Sequence, residues 1–144
     1  MYQWRWLMAN VNFYSSVDMS SFSVWFGYVT GVSTSSISLS SIYGQLSSTY
    51  YGSFKFSPGL TKLVGGTLTG YKHWSSGTLT YEVSGLSASA TAVKEYIDSA
   101  DARLLVFVLS GADEIAGSIY ADVLKGFKGN DALYGATGGD AIDG

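Results

Sequence analysis

Four aspartates near the C-terminal end of the chain are spaced nine residues apart, a pattern that predicts a cation site. They are Asp113, Asp122, Asp131 and Asp140. Glycines recur around them, two positions before an aspartate (Gly111, Gly129, Gly138) or five positions before one (Gly126, Gly135). Glycine allows the backbone to adopt positive φ and to point its carbonyl oxygens inward. Carboxylates and carbonyls are the oxygen ligands that hard cations prefer.

These aspartates belong to a repeat of nine residues. The units are Val108–Ala116 (VLSGADEIA), Gly117–Lys125 (GSIYADVLK), Gly126–Tyr134 (GFKGNDALY) and Gly135–Asp143 (GATGGDAID). Each aspartate is followed two positions later by Ile115, Leu124, Leu133 or Ile142. The pattern resembles the RTX (hemolysin-type) nonapeptide G-G-x-G-x-D-x-U-x. An EF-hand is excluded, because D-x-[DN]-x-[DN]-G does not occur in the chain.

The resemblance implies a right-handed parallel β-roll in which two nonapeptides make one turn and Ca²⁺ lies between stacked loops. Asp113 would then face Asp131, and Asp122 would face Asp140. Bare carboxylates at about 4 Å repel by roughly 1 kcal/mol even in water. A divalent cation reverses that sign, so we expect calcium binding and folding to be coupled. The predicted metal site comprises the four aspartates with Gly111, Gly126, Gly129, Gly135 and Gly138.

The repeats depart from the RTX pattern at two positions. The second position is never glycine; it is occupied by Leu109, Ser118, Phe127 and Ala136. Tyr120 replaces the fourth-position glycine of the second unit. Side chains at these positions restrict the loop, so the Asp113–Asp131 site is expected to be better formed than the Asp122–Asp140 site.

The elements before the repeats are predicted from their periodicity. Segments rich in Tyr, Phe, Val, Ile and Thr predict an antiparallel β module over residues 11–86. Its strands are predicted at Ser21–Thr30, Ser36–Tyr43, Thr49–Ser57, Leu63–Trp74 and Thr78–Ser84, with turns at Pro58-Gly59 and Ser75-Ser76-Gly77. Helical spacing within Ser89–Leu109 predicts two short helices, the second capped by Ser99 and Asp101.

The predicted fold class is therefore mainly β: an antiparallel N-terminal module, a short helical cap and a C-terminal parallel β-roll. The predicted segments are a leader at 1–10 that is not native, the β module at 11–86, the helical cap at 87–107 and the roll at 108–144.

Composition excludes several classes of function. The net charge is −3 and no Lys/Arg cluster occurs, which argues against a nucleic-acid partner. The absence of cysteine excludes disulfides, thiolate metal sites and cysteine nucleophiles. No apolar run is long enough to predict a transmembrane segment, and the N-terminus lacks the features of a secretory signal.

A catalytic constellation is not found in the sequence. His73 is the single histidine, and no G-x-S-x-G elbow is present, so we do not expect an enzyme. His73 is expected to be an exposed or packed strand residue. The aromatic residues Tyr50, Tyr51, Tyr71 and Trp74 would suit a sugar-stacking face, although sheet packing is the favoured interpretation. Trp4-Arg5-Trp6 is too short for an amphipathic membrane helix.

The predicted function is calcium binding that couples folding to secretion. RTX proteins typically leave the cell unfolded through a type I secretion apparatus and fold in a calcium-rich exterior. The segments YYGSFKFSPGLTKLVGGTLTGYKHW and TLTYEVSGLS also resemble the start of bacterial RTX-repeat proteins. Two alternatives stay open: a surface adhesin or carbohydrate-binding module that recognises cell-surface glycans, and a fragment of a larger secreted RTX enzyme.

Overall fold

Strand-forming residues alternating with Ser and Gly build most of this chain, and the two helices are short. The computed structural model describes residues 9–24 and 27–144. The N-terminal strands are β1 Asn10–Phe13, β2 Tyr28–Val32, β3 Ser36–Ser40, β4 Leu46–Phe56, β5 Leu63–Ser75, β6 Thr78–Ser84 and β7 Ala88–Ser89. The remaining elements are α1 Ala90–Asp98, α2 Arg103–Val108, β8 Glu114–Ala116, β9 Val123–Lys125, β10 Ala132–Tyr134 and β11 Ala141–Asp143.

The N-terminal module is an antiparallel meander, as predicted. Strands β2 to β6 pair in chain order, and β1 pairs antiparallel with β6. The hairpin between β5 and β6 turns at Ser76 (φ 49°) and Gly77 (φ 78°). Two consecutive positive φ angles match the twist of the flanking strands, so a two-residue connection suffices. In β4 the side chains separate into two faces, with Phe54 buried and Tyr51 exposed.

Two strands are shorter than predicted. The strand predicted over Ser21–Thr30 begins only at Tyr28, and Met19–Ser21 forms a 3-10 turn instead. This turn is favoured locally because Asp18 Oδ1 accepts the Ser20 N–H at 2.9 Å. The strand predicted over Ser36–Tyr43 ends at Ser40, because the chain turns back where Gly44 adopts a φ of 69°.

Two helices form where predicted, but the predicted cap of the second is wrong. The Ser89 Oγ accepts the Ala92 N–H at 3.3 Å and caps α1. Ser99 instead follows the last residue of α1, and its N–H donates to the Glu95 carbonyl. Asp101 Oδ1 does accept the Arg103 N–H at 2.9 Å, as an acidic residue near a helix start can. Neither α1 nor α2, nor any other helix within the described ranges, is long and apolar enough to span a membrane.

The nonapeptide strands pair in alternation, which confirms that two units make one turn. Strand β8 pairs parallel with β10, placing Ile115 opposite Leu133. Strand β9 pairs parallel with β11, placing Leu124 opposite Ile142. Ile115 and Leu124 have no exposed surface and join the main apolar core, so the aliphatic position of the first two repeats fills the interior.

An additional rung precedes the first repeat, and it comes from the N-terminal end of the described chain. Strand β1 pairs parallel with β8 and places Val11 opposite Ile115. On the other side of the roll, Asp18 forms a parallel bridge with Val123. Because β1 pairs with both β6 and β8, the antiparallel sheet continues directly into the repeats. We refer to residues 9–19 as the leading rung.

The leading rung covers one edge of β8. The edge of β8 exposes N–H and C=O groups that need backbone partners. Strand β1 supplies such partners, whereas a helix uses its own backbone groups internally. Helices α1 and α2 contact each other, and α1 also contacts β5. Ala9 and Asn10, predicted as part of a leader, belong to this rung; the rest of that leader, with Trp4-Arg5-Trp6, lies outside the described residues.

Candidate metal centre

The loops of the third and fourth repeats share one backbone conformation. At the second position, Phe127 and Ala136 have φ values of 68° and 65°. At the fourth position, Gly129 and Gly138 have φ values of 137° and 127°. The second position is therefore left-handed even without the glycine that the RTX pattern would place there. Such a conformation costs a residue with a side chain about 1–2 kcal/mol.

The regular spacing of the glycines has a steric cause. A Cβ atom on Gly126 would lie 2.5 Å from Asp131 Oδ2, and one on Gly135 would collide with Asp140 Oδ2. A Cβ on Gly129 would overlap the Gly111 carbonyl oxygen of the loop stacked against it. A Cβ on Gly138 would lie 2.5 Å from the Tyr120 carbonyl oxygen. Carboxylate and carbonyl oxygens thus occupy the space that side chains would need.

Each aspartate of the repeat reaches back to the rung before it. Asp131 Oδ1 accepts the Asp113 N–H at 2.9 Å, and Asp140 Oδ1 accepts the Asp122 N–H at 3.0 Å. The predicted pairs Asp113–Asp131 and Asp122–Asp140 therefore stand on consecutive rungs. We call the loops around the first pair the first stack and those around the second pair the second stack.

The leading rung repeats the same hydrogen bond with residues that match no nonapeptide. Asp113 Oδ1 accepts the Ala9 N–H at 2.8 Å, and Asp122 Oδ1 accepts the Val17 N–H at 2.8 Å. Eight positions separate Ala9 from Val17, against nine between Asp113 and Asp122, so the RTX spacing is not kept. The nine-residue period of the sequence therefore could not reveal this rung.

Asp113 carries an unpartnered oxygen in the interior. The residue is 2% exposed, and among the described residues its Oδ2 has no hydrogen-bond partner. Burial raises the pKa of the Asp113 carboxyl; the Ala9 N–H opposes this rise and the charge of Asp131 adds to it. A buried carboxylate oxygen without a donor is costly unless a cation compensates its charge.

Asp122 is equally buried, at 1% exposure, but its carboxylate is well satisfied. Besides the Val17 N–H on Oδ1, it receives the Ser118 N–H on Oδ2 at 2.7 Å. The Ser118 hydroxyl lies 3.0 Å from Oδ2 and 3.2 Å from Oδ1. Ser118 occupies the second position of its repeat, where the RTX pattern has glycine. The two stacks therefore differ in hydrogen bonding although their sequences share one period.

The oxygen atoms available as metal ligands in these loops suit calcium. Groups of three or more His, Cys, Asp or Glu close enough to hold a metal do not occur in the described part of the chain. A cation would therefore be held by the two carboxylates of a stack together with backbone carbonyls such as that of Gly111. Such all-oxygen sites favour Ca²⁺ over Zn²⁺ or copper. The residues of the first stack fit this ion, because they include a buried oxygen for which the described part of the chain supplies no partner.

The lysines and arginine of the described residues do not neutralise the repeat aspartates. The ion pairs found within residues 9–24 and 27–144 are Lys72–Glu82, Lys94–Asp98, Arg103–Asp101 and Lys125–Asp143. None of them includes Asp113, Asp122, Asp131 or Asp140. Their negative charge is left for hydrogen bonds and for a cation to balance.

The aromatic residues do not form one sugar-stacking face. The rings of Tyr50 and Tyr71 lie 4.7 Å apart and Tyr50 packs against the core, whereas Tyr51 lies exposed on the other face of β4. Strand alternation places Trp74 on the face opposite Tyr71. His73 stacks on Tyr81 with ring centroids 5.3 Å apart, so it is a packed strand residue. Burial lowers the pKa of His73.

Comparison with known proteins identifies the repeats. Residues 108–142 match the family model of the RTX calcium-binding nonapeptide repeat, in four copies. This span contains strands β8 to β10 and the loops that carry the four aspartates. The curated proteins gave no match to the chain, and neither did the solved structures. The repeats imply calcium binding by this part of the chain.

Proposed function

We propose that the RTX repeats of residues 108–142 fold around calcium and make this chain a calcium-dependent module that works outside the cell. The observation that supports this best is the buried Asp113 Oδ2, which lacks a hydrogen-bond donor among the described residues. Asp131 stands on the next rung and adds negative charge to the same place. A divalent cation supplies the opposite charge that the stack lacks.

The proposed coupling of calcium to folding follows from electrostatics. Without a cation, stacking the rungs brings carboxylates together and removes Asp113 from water, and both changes oppose folding. Calcium binds the stacked rungs and not the extended chain, because the ligands come from different repeats. A ligand at about 100 times its Kd stabilises the folded state by about 2.7 kcal/mol.

The proposed location is extracellular, since proteins with these repeats are generally secreted. Calcium is scarce in the cytosol, so the repeats would stay unfolded there and could pass a type I secretion apparatus. External calcium would then fold them. The support for this route is the family of the repeats, together with the unbalanced charge of their aspartates.

We propose a binding role, not a catalytic one. His73 packs among tyrosine rings in the sheet, a placement that suits structure better than proton transfer. Recognition of cell-surface glycans and membership in a larger secreted RTX enzyme stay predictions from the sequence. The separation of Tyr51 from Tyr50 and Tyr71 on opposite faces gives the glycan hypothesis no additional support.

The coupling is tested by far-UV circular dichroism of the whole chain during calcium titration. We expect a gain of β signal that is reversed by EDTA and is not produced by magnesium at the same concentration. Magnesium is the matched control because it prefers fewer ligands at shorter distances. A spectrum that stays unchanged up to millimolar calcium would contradict the proposal.

A further inference from the structure

The two stacks of the roll offer a cation unequal sites, although both arise from the same nonapeptide. In each stack, the later rung presents an aspartate that accepts one backbone N–H on Oδ1, Asp131 in the first and Asp140 in the second. The later loops also share their left-handed second positions. The difference therefore lies in the earlier rung, where Asp113 stands in one stack and Asp122 in the other.

In the first stack, the buried carboxylate of the earlier rung is incompletely satisfied. Asp113 receives the Ala9 N–H on Oδ1, and its Oδ2 has no partner among the described residues. Gly111, two positions earlier, places its carbonyl oxygen against Gly129 of the next rung. This stack therefore contains a buried carboxylate oxygen with no donor among the described residues, beside loop carbonyls, and a cation would complete the environment of Asp113.

In the second stack, Ser118 donates hydrogen bonds to the aspartate that a cation would otherwise contact. Its N–H and hydroxyl both contact the Asp122 carboxylate, and the hydroxyl oxygen in turn accepts the Tyr120 N–H at 3.1 Å. With the Val17 N–H, both carboxylate oxygens of Asp122 have partners. Hydrogen bonds to both oxygens compensate this carboxylate for its burial. Calcium binding would have to break these bonds.

We infer that the chain binds one calcium ion, in the first stack between Asp113 and Asp131, and that Ser118 takes the place of a cation in the second stack. This inference rests on the proposed calcium binding and specifies its site. The Ser118 hydroxyl and amide satisfy the Asp122 carboxylate without metal, so the second stack needs no ion of its own. Ser118 is thus a residue that determines where the ion binds.

Isothermal titration calorimetry of the whole chain with calcium alone counts the ions. We expect a stoichiometry near one for the natural sequence. Asp131→Asn, which keeps the acceptor for the Asp113 N–H, should weaken binding at least tenfold. The matched variant Asp140→Asn should leave the affinity within about twofold. Circular dichroism of both variants in calcium reports whether the β structure persists, so a lost site is distinguished from a lost fold.

A double variant tests the role of Ser118 by gain of a site. Ser118→Gly with Tyr120→Gly restores the RTX residues at the second and fourth positions, and we expect it to bind two calcium ions. A stoichiometry of two in the natural sequence, or loss of its single site in Asp140→Asn, would overturn the inference and leave the proposed function intact. A folded double variant that still binds one ion would overturn the role of Ser118. No binding by the natural sequence at millimolar calcium would overturn the proposed function itself.

Discussion

Asp113 and Asp122 occupy the same position of the repeat, yet their surroundings differ because of single neighbouring residues. The nine-residue period assigned both aspartates to the predicted metal site, and the structure places them immediately before strands β8 and β9. The period could not predict that the Ser118 hydroxyl turns toward Asp122, because this depends on the conformation of a loop that lacks the usual glycines. The departures at Ser118 and Tyr120 were visible in the sequence, but their hydrogen bonds were not.

Ala136 provides a test of the loop conformation at the residue scale. Its φ is 65°, so Ala136→Gly should relieve left-handed strain and stabilise the folded protein by up to about 1 kcal/mol. The measurement is urea unfolding in saturating calcium. Ala132→Gly is the matched control, because Ala132 lies in strand β10, where glycine should cost about 0.5–1 kcal/mol. Equal destabilisation by both substitutions would show that Ala136 is not left-handed.

The leading rung is the element that sequence reasoning missed. Periodicity predicted β6 at its observed bounds and the two helices within a few residues, because those elements depend on local patterns. The pairing of β1 with β8 joins residues about a hundred positions apart, and no local signal announces it. Ala9 and Val17 stand where a repeat would have its aspartates, so the segment does not resemble a repeat in sequence. Its backbone N–H groups nevertheless donate to Asp113 and Asp122, as the backbone N–H groups of a preceding repeat would.

Substitution of Val17 tests whether the leading rung supports the second repeat. Val17→Pro removes the donor to the buried Asp122 carboxylate, and a hydrogen bond to a charged group contributes about 1.5–3 kcal/mol. Val17→Ala is the control, since it shortens the side chain and keeps the N–H. We expect the proline variant to unfold at lower urea, by about 2 kcal/mol relative to the alanine variant. Equal stabilities would mean that the segment does not support the second repeat.

The whole molecule is one structure in which calcium-binding loops and the antiparallel sheet share strands and core. Strand β1 lies between β6 and β8, and Ile115 and Leu124 belong to the same apolar cluster as Phe54 and Val93. Burial declines along the roll, since Leu133 is half-buried and Ile142 is 51% exposed. The first repeats are therefore the ones most firmly attached to the sheet. Calcium bound in the first stack would stabilise strands on both sides of β1.

Hydrogen–deuterium exchange of the whole chain, in calcium and in EDTA, tests most directly whether calcium folds the repeats onto the sheet. Protection from exchange follows local stability, so amides in segments that calcium stabilises should all exchange more slowly when calcium is bound. We predict that calcium protects strands β8 and β10 and, with them, the leading rung around Ala9 and Val11. Equal exchange of the repeats with and without calcium would contradict calcium-coupled folding. Protection of the repeats alone, with no change at β1, would contradict their union with the N-terminal sheet.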